Sequence, residues 1–238
     1  MRTLGLLGGM AWPSTAEAYR AINLGVAARL GGTHSAPLLV WSADFAEVEQ
    51  LQRAGAWEEA GALLADAAQR LEAAGAEGLM LCSNTMHRVA EAIEAAVAVP
   101  LLHLADATAE AVRADGRTRV GLLGTRFTME ESFYRGRLAD HGLEILVPDA
   151  PDRDVVHRVI YQELVQGRTT SRSREEYLRI ISRLLERGAQ GVIAGCTEIE
   201  LLITADDLPV AYYPTTALHA AAAVAWILED GPGEGEAP

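Results

Sequence analysis

Short apolar runs that end in glycine turns alternate along this chain with longer segments of helical periodicity. Residues 3–9, TLGLLGG, and 119–125, RVGLLGT, are each a brief apolar strand closed by glycine, aligning Gly5 with Gly121 and Gly8 with Gly124. Each opens a helix. Ser14 and Glu17 have capping-box spacing ahead of one, Thr128 and Glu131 ahead of the other. The duplication extends further: residues 74–85, AGAEGLMLCSNT, align without gaps on 187–198, RGAQGVIAGCTE, each a helix end, a buried strand and a polar turn. Gly8 to Ser83 is 75 residues and Gly124 to Cys196 is 72, so the two halves share one plan. Helices are expected near 14–30, 56–75, 86–97, 105–114, 129–142, 153–166, 172–188, 198–203 and 216–229. Strands alternating with such helices predict an α/β chain of two pseudo-symmetric domains, each a mainly parallel sheet with helices on both faces. The boundaries fall at 1–105 and 106–215, with helix 216–229 packed back on the first half and 230–238 a frayed tail.

Composition narrows the chemistry. A chain of 238 residues with 50 % hydrophobic and 22 % charged positions is globular, and its apolar stretches are too short and broken for a membrane span. The opening run reads as a first strand, not a signal peptide, which makes the expected location cytoplasmic. With 20 basic and 33 acidic residues, a net charge of −13 and no basic run, nucleic acid is not an expected partner. All 20 basic residues are arginine. The lack of lysine excludes an internal pyridoxal Schiff base and a P-loop lysine, leaving thiol, hydroxyl, carboxylate, imidazole, guanidinium or backbone groups to do the work.

Ligands of open α/β sheets sit beyond the carboxyl ends of strands, where Gly8-Gly9, Ser83-Asn84-Thr85, Gly124-Thr125 and Cys196-Thr197-Glu198 all fall. Two halves facing each other would set these turns around one cleft. Counting from equivalent glycines, Ser83 lies eight residues after Gly75 and Cys196 eight after Gly188, so Ser83 is the counterpart of Cys196. Cys82 matches Gly195 instead. Successive strand residues face opposite ways, so Cys82 is expected to point at the helices behind the sheet as a small core residue. Cys196 opens a helix, where the dipole and free N–H groups favour a thiolate.

LGGMAWPST near the start, SNTMH at 83–87, LLGTRFTM at 122–129, FY at 133–134, GCTEI at 195–199 and TTALHA at 215–220 together resemble the cofactor-independent aspartate/glutamate racemase family, over nearly the whole chain. The resemblance implies two α/β domains with the active site in the cleft between them, a homodimer, no cofactor and no metal, and a small amino-acid or dicarboxylate substrate. In that family one cysteine removes the Cα proton from one face and the other returns a proton on the opposite face. Carried onto this chain, the catalytic positions are Cys196 and Ser83. The substrate carboxylate would be held by Gly9, Met10, Asn84, Thr85, Thr125, Thr128, Thr197 and Glu198, by backbone amides and hydroxyls that also suit helix capping.

The chain departs from the family pattern in three places. The first-half motif generally reads Cys-Asn-Thr where this chain has Ser83-Asn84-Thr85, and a hydroxyl is far less acidic than a thiol, whose reference pKa is about 8.5. Some members, those reading Thr-Asn-Thr-Met-His, also carry a hydroxyl there. Pro214 stands where an Asp usually precedes the paired threonines, and Asp44 is followed by Phe45 where many aspartate-selective members have Arg. His87, four residues past Ser83, faces the cleft as an auxiliary group or caps the helix. Glu198 orients the thiol, binds an ammonium or simply begins a helix. Arg126 is a candidate carboxylate binder and Arg53 reads as a solvated surface residue; His103, His157 and His219 have no metal-ligand spacing. Two alternatives stay open: a single-thiol decarboxylase or cis/trans isomerase of a dicarboxylic acid, and an inactive small-carboxylate binding protein.

Overall fold

The computed structural model describes residues 1–229, and the expected frayed tail at 230–238 lies outside the described residues. The chain divides into two units, one of residues 1–103 with the chain from His219 onward, the other Leu104–Leu218. The first unit contains β1 (Leu4–Gly8), α1 (Trp12–Leu30), β2 (Leu38–Ser42), α2 (Phe45–Ala54), α3 (Trp57–Ala73), β3 (Gly78–Leu81), a 3-10 turn (Thr85–Val89) running into α4 (Ala90–Glu94), and β4 (Leu101–Leu102). The second contains α5 (Leu104–Ala114), β5 (Arg119–Gly124), α6 (Arg126–Glu130), α7 (Ser132–Asp140), β6 (Glu144–Leu146), α8 (Ala150–Gln162), α9 (Ser171–Glu186), β7 (Gly191–Gly195), a 3-10 turn (Thr197–Leu201) and β8 (Ala211–Pro214). The last helix, α10 (Thr215–Leu228), begins in the second unit and continues into the first.

Each unit is a four-stranded, wholly parallel sheet, ordered β2-β1-β3-β4 in one and β6-β5-β7-β8 in the other. This is the expected α/β architecture, and the repeat reaches the level of register. Gly5 pairs with Leu79 and Leu7 with Leu81, while their counterparts pair as Gly121 with Val192 and Leu123 with Ala194. Parallel strands covered by helices on both faces read as uninterrupted apolar runs, and every residue of β1, β3 and β7 is buried. In the first unit one face packs Leu7, Leu79 and Leu81 against Leu64, Ala67 and Leu71 of α3. The other face packs Leu4, Leu6 and Met80 against Ile22 and Val26 of α1 and Ala223 and Ile227 of α10. In the second unit, Tyr177, Ile180, Ile181 and Leu184 put the i, i+3, i+4, i+7 face of α9 under Val192 and Ala194. The opposite face seats Val120, Leu122 and Ile193 on Leu104 and Val112 of α5 and Tyr134 and Leu138 of α7.

Local differences from the sequence reading have identifiable causes. Helix α1 starts at Trp12, with Ala11 at its N-cap and Ser14 buried inside the first turn, so Ser14 and Glu17 do not form a capping box. Pro13 is responsible, because its fixed φ and missing donor suit the first helical turn. In the second half the cap is Thr125, whose hydroxyl accepts from Thr128 N–H at 3.4 Å, and not Thr128. The single helix expected over 129–142 is broken at Glu131, whose extended backbone ends α6 and begins α7. Helix α2 had no expected counterpart, although Phe45, Val48 and Leu51 form a short apolar stripe packed on the same core as α3. A second sequence mark is Asp44 with Glu47 three residues on, and Asp44 does accept from Ala46 N–H at 3.1 Å.

A threonine sits beneath the glycine that ends each innermost strand. A Cβ on Gly8 would lie 2.3 Å from Thr15 Cγ2, and one on Gly124 would lie 3.1 Å from Thr128 Cβ. Thr15 Oγ1 also accepts from Gly9 N–H at 2.8 Å, so the chain leaves β1 in a turn tight enough to need glycine. Gly9 has φ +89°, and a Cβ there would meet Ala43 N at 2.3 Å and Ala43 O at 2.4 Å. Gly9→Ala should therefore cost about 2–4 kcal/mol, seen as a lower urea midpoint at unchanged slope. Gly136→Ala, inside α7 with open space around it, should be neutral or stabilise by up to about 1 kcal/mol. Equal effects from the two substitutions would contradict this account of the turn.

Candidate active site

Cys196 is the first residue past β7, in extended conformation (φ −158°, ψ 130°), at the N-cap of the turn Thr197–Leu201. The residue is 8 % exposed, and Sγ–H donates to Glu198 Oε2 at 2.9 Å. Burial pushes the thiol pKa well above its ordinary value; the negative charge of Glu198 and the hydrogen bond to its carboxylate add to this, the backbone N–H of Glu198 opposes them by less, and the charge of Glu200 adds further. The expected thiolate is therefore corrected: the resting group is a thiol. A five-residue 3-10 turn carries little dipole, and two carboxylates in its first turn outweigh it.

The start of α10 braces this turn. Thr216 Oγ1 donates to Thr197 Oγ1 at 3.0 Å, Thr216 N–H donates to Glu200 Oε1 at 3.4 Å, and Thr215 Oγ1 donates to Ala194 O at 2.8 Å. Pro214 ends β8 opposite Ala194, so the carboxylate beside the thiol comes from Glu198 on the thiol's own turn.

Ser83 occupies the corresponding place past β3 and is half-buried. Its hydroxyl accepts from Met86 N–H at 3.4 Å, and its carbonyl accepts from His87 Nδ1 at 2.7 Å. Asn84 and Thr85 are 8 % exposed and His87 is 2 % exposed. The His87 ring is thus bonded to the backbone of the Ser83 turn. Cys82 points the other way, packed with Met80 and the residues of α1 and α10. Burial pushes its thiol up to about 12.

The remaining expected binders divide by exposure. Thr197 and Glu198 are half-buried and Thr125 is 5 % exposed. Thr128 is completely buried, its hydroxyl 3.2 Å from that of Thr125, and it packs beneath Gly124. The N–H of Gly9 is taken by Thr15, and the Met10 side chain belongs to the core beside Leu7. Arg53 is a surface residue paired with Glu49 at 2.7 Å; Arg126 is paired with Asp154 at 2.7 Å. Thr15, Glu200 and Thr216 were not singled out from the sequence. The signals for them were a threonine within two turns of each strand-end glycine and the Thr-Thr pair directly after β8. Among the described residues no group of three His, Cys, Asp or Glu side chains could hold a metal ion, and no helix is long and apolar enough to cross a membrane.

The sequence profile of the Asp/Glu/hydantoin racemase family matches residues 7–223. The broad specificity amino-acid racemase RacX of Bacillus subtilis is 24 % identical over 145 residues, which span 58 % of this chain and 59 % of RacX. A crystal structure of a candidate Asp/Glu racemase from Yersinia pestis superposes with a TM-score of 0.92 at 52 % identity, over 96 % of this chain and 100 % of that one. An aspartate racemase homologue from Pyrococcus horikoshii superposes with a TM-score of 0.84 at 32 % identity, again over 96 % of this chain and 100 % of that one. With its two matched sheets, its strand-end thiol and these similarities, the chain belongs to the Asp/Glu/hydantoin racemase family.

Proposed function

We propose that this protein is an amino-acid racemase, working without a cofactor on aspartate, glutamate or a related amino acid. The observation that carries the reading is the Cys196 thiol bonded to Glu198 at the end of one duplicated strand, with Ser83 at the equivalent point of the other. The chemistry follows from the groups. Inversion through a carbanion needs one group to take the Cα proton and another to deliver a proton on the opposite face. Cys196 rests protonated and is ready to deliver. To act as a base it passes its proton along the 2.9 Å contact to Glu198, and the thiolate then takes the proton from Cα. Charge that moves from Cα into the substrate carboxylate is stabilised by hydroxyl and N–H donors of Asn84, Thr85, Thr125 and Thr197. Ser83 serves the other face, with a hydroxyl far weaker as an acid than a thiol. The names of RacX and the Pyrococcus homologue support an amino-acid substrate. Family resemblance also supports a homodimer, which sedimentation would test.

Solvent-deuterium exchange over L- and D-amino acids, read by NMR and chiral chromatography, tests the reading. Cys196→Ser should abolish α-proton exchange without unfolding the protein, and Cys82→Ala should leave turnover unchanged. An inactive Cys82 variant would overturn the assignment of the two thiols. A wild type that exchanges no amino acid but decarboxylates a malonate-type diacid would replace racemisation with the single-thiol decarboxylase reading.

Glu198→Gln removes both the charge that raises the Cys196 pKa and the acceptor that draws off its proton. At neutral pH, exchange should fall by about 10²-fold. The pH at which the thiol alkylates with iodoacetamide should move down, towards the ordinary thiol range. An upward shift of the alkylation midpoint would contradict this sign.

Replacing one thiol by a hydroxyl should also leave the two faces unequal. One enantiomer should wash in solvent deuterium faster than it inverts, and the other should not. Ser83→Cys should raise the racemisation rate and shrink that difference; a lower rate with the difference intact would count against Ser83 as the second proton-transfer position.

A further inference from the structure

Three buried imidazoles stand behind the Ser83 turn, drawn from three segments of the first unit. His87 lies in the 3-10 turn, His103 between β4 and α5, and His219 in α10. They are 2 %, 5 % and 1 % exposed. The ring of His87 meets that of His103 edge-on with centroids 4.5 Å apart, and its centroid is 5.9 Å from that of His219. Two of the rings are tied to main-chain carbonyls: His87 Nδ1 to Ser83 O and His219 Nε2 to Leu102 O, both at 2.7 Å. A carbonyl oxygen only accepts, so His87 carries a proton on Nδ1 and His219 carries one on Nε2.

The backbone explains why His87 reaches Ser83. Its own N–H goes to Asn84 O at 3.2 Å in the 3-10 pattern, and Met86 N–H goes to the Ser83 hydroxyl at 3.4 Å. The imidazole meets the carbonyl. In the second unit the corresponding carbonyl, Cys196 O, accepts Ile199 N–H at 3.0 Å. The repeat places Glu200 where His87 stands, and Glu200 accepts from Thr216 N–H instead. One strand-end turn is thus closed by its own backbone, and the other by a side chain packed against two further imidazoles.

We infer that His87 is a positioning residue for the first proton-transfer turn. Its Nδ1–H fixes the Ser83 peptide, and through it the direction of the Ser83 hydroxyl, while His103 and His219 hold the ring in place. The inference rests on the proposal that Ser83 serves one face of the substrate carbon. It requires an N–H at the Nδ1 position, not a titrating group. Asparagine supplies an N–H near that point, glutamine places one nearer the Nε2 position, and leucine supplies none.

His87→Asn, His87→Gln and His87→Leu, compared with wild type, test it. In the Leu variant inversion should fall by about 10²-fold at little change in KM, since misplacement of a reacting group by about 1 Å costs that much. Deuterium wash-in from the Cys196 side should persist. The Asn variant should recover most of the inversion and the Gln variant should behave like Leu, which also decides the matter if the Leu protein folds poorly. Inversion by the Leu variant at the wild-type rate overturns the inference, as does an Asn variant as impaired as Gln, or equal loss of inversion and wash-in. Amide hydrogen exchange at Thr85 and Met86 reads the turn without any substrate. It should quicken in the Gln and Leu variants and stay at the wild-type rate in Asn, and no change in any variant overturns the inference. A wild type that washes deuterium into no amino acid would refute the racemase reading, while the amide exchange would still decide the role of His87.

Discussion

The register of the central strand pair in each unit governs where every candidate group points. Leu7 lies opposite Leu81 and Leu123 opposite Ala194, so side chains beyond those points alternate in step in the two halves. Position 82 turns to the helix layer of α1 and α10, and positions 83 and 196 turn to the other side. A slip of one residue would exchange Cys82 with Ser83 and bring the wrong thiol to the strand end. What prevents the slip is shape: a Cβ moved onto the place of Gly5 would lie 2.8 Å from Leu79 Cδ2, one at Gly78 would lie 2.6 Å from Trp226 Cη2, and one at Gly191 would lie 2.7 Å from Tyr213 Cε2. It is reinforced by the glycine and threonine pairs, Gly8 with Thr15 and Gly124 with Thr128, which lock the chain as it leaves each sheet.

On this common frame the two turns have diverged in charge. The Cys196 turn carries Glu198 and Glu200, and their negative charge together with burial keeps the thiol protonated. The Ser83 turn carries a hydroxyl and an imidazole bonded to its backbone. A duplicated fold therefore does not imply duplicated chemistry: the backbone path is shared, and the proton inventory is set by the few side chains that differ.

The architecture was legible in the sequence because burial on both faces writes parallel strands as unbroken apolar runs, and because the same run occurs twice. Gly5 with Gly121 and Gly75 with Gly188 were enough to pair Ser83 with Cys196. What the sequence did not disclose were features set by three-dimensional surroundings. The protonation of Cys196 depends on how deeply it is buried and on which way the Glu198 side chain turns, and neither has a periodicity. Helix starts were displaced wherever a proline or a second threonine offered a better first turn than the capping box, as at Pro13 and Thr125. Helix α2 is only ten residues long, so its signal is limited to Phe45, Val48 and Leu51 behind the Asp44 cap, and the sequence reading passed over it. The histidine cluster was hidden for a different reason: His87, His103 and His219 are 16 and 116 residues apart in the chain, with no spacing to suggest that they meet.

Under the proposed function, the resting protonation of both turns sets where proton removal begins. A serine hydroxyl and a thiol with raised pKa are both poor bases in the state in which they rest. Cys196 differs in that a carboxylate already accepts its hydrogen bond at 2.9 Å, so the proton has a direct acceptor and its uphill transfer to Glu198 needs no solvent. The Ser83 hydroxyl is bonded instead to the Met86 amide, a donor, which stabilises negative charge on its oxygen but cannot take a proton from it. Abstraction at the Cys196 side therefore begins with a ready proton acceptor, and donation from the Ser83 side leaves an alkoxide that regains a proton from solvent while Glu198 gives its proton up before the next turnover. The reverse direction must form an alkoxide before any C–H bond is broken. Since the overall equilibrium between enantiomers is fixed, that difference appears in the free energies of the bound states and in the individual values of kcat and KM, not in the ratio of kcat/KM for the two directions.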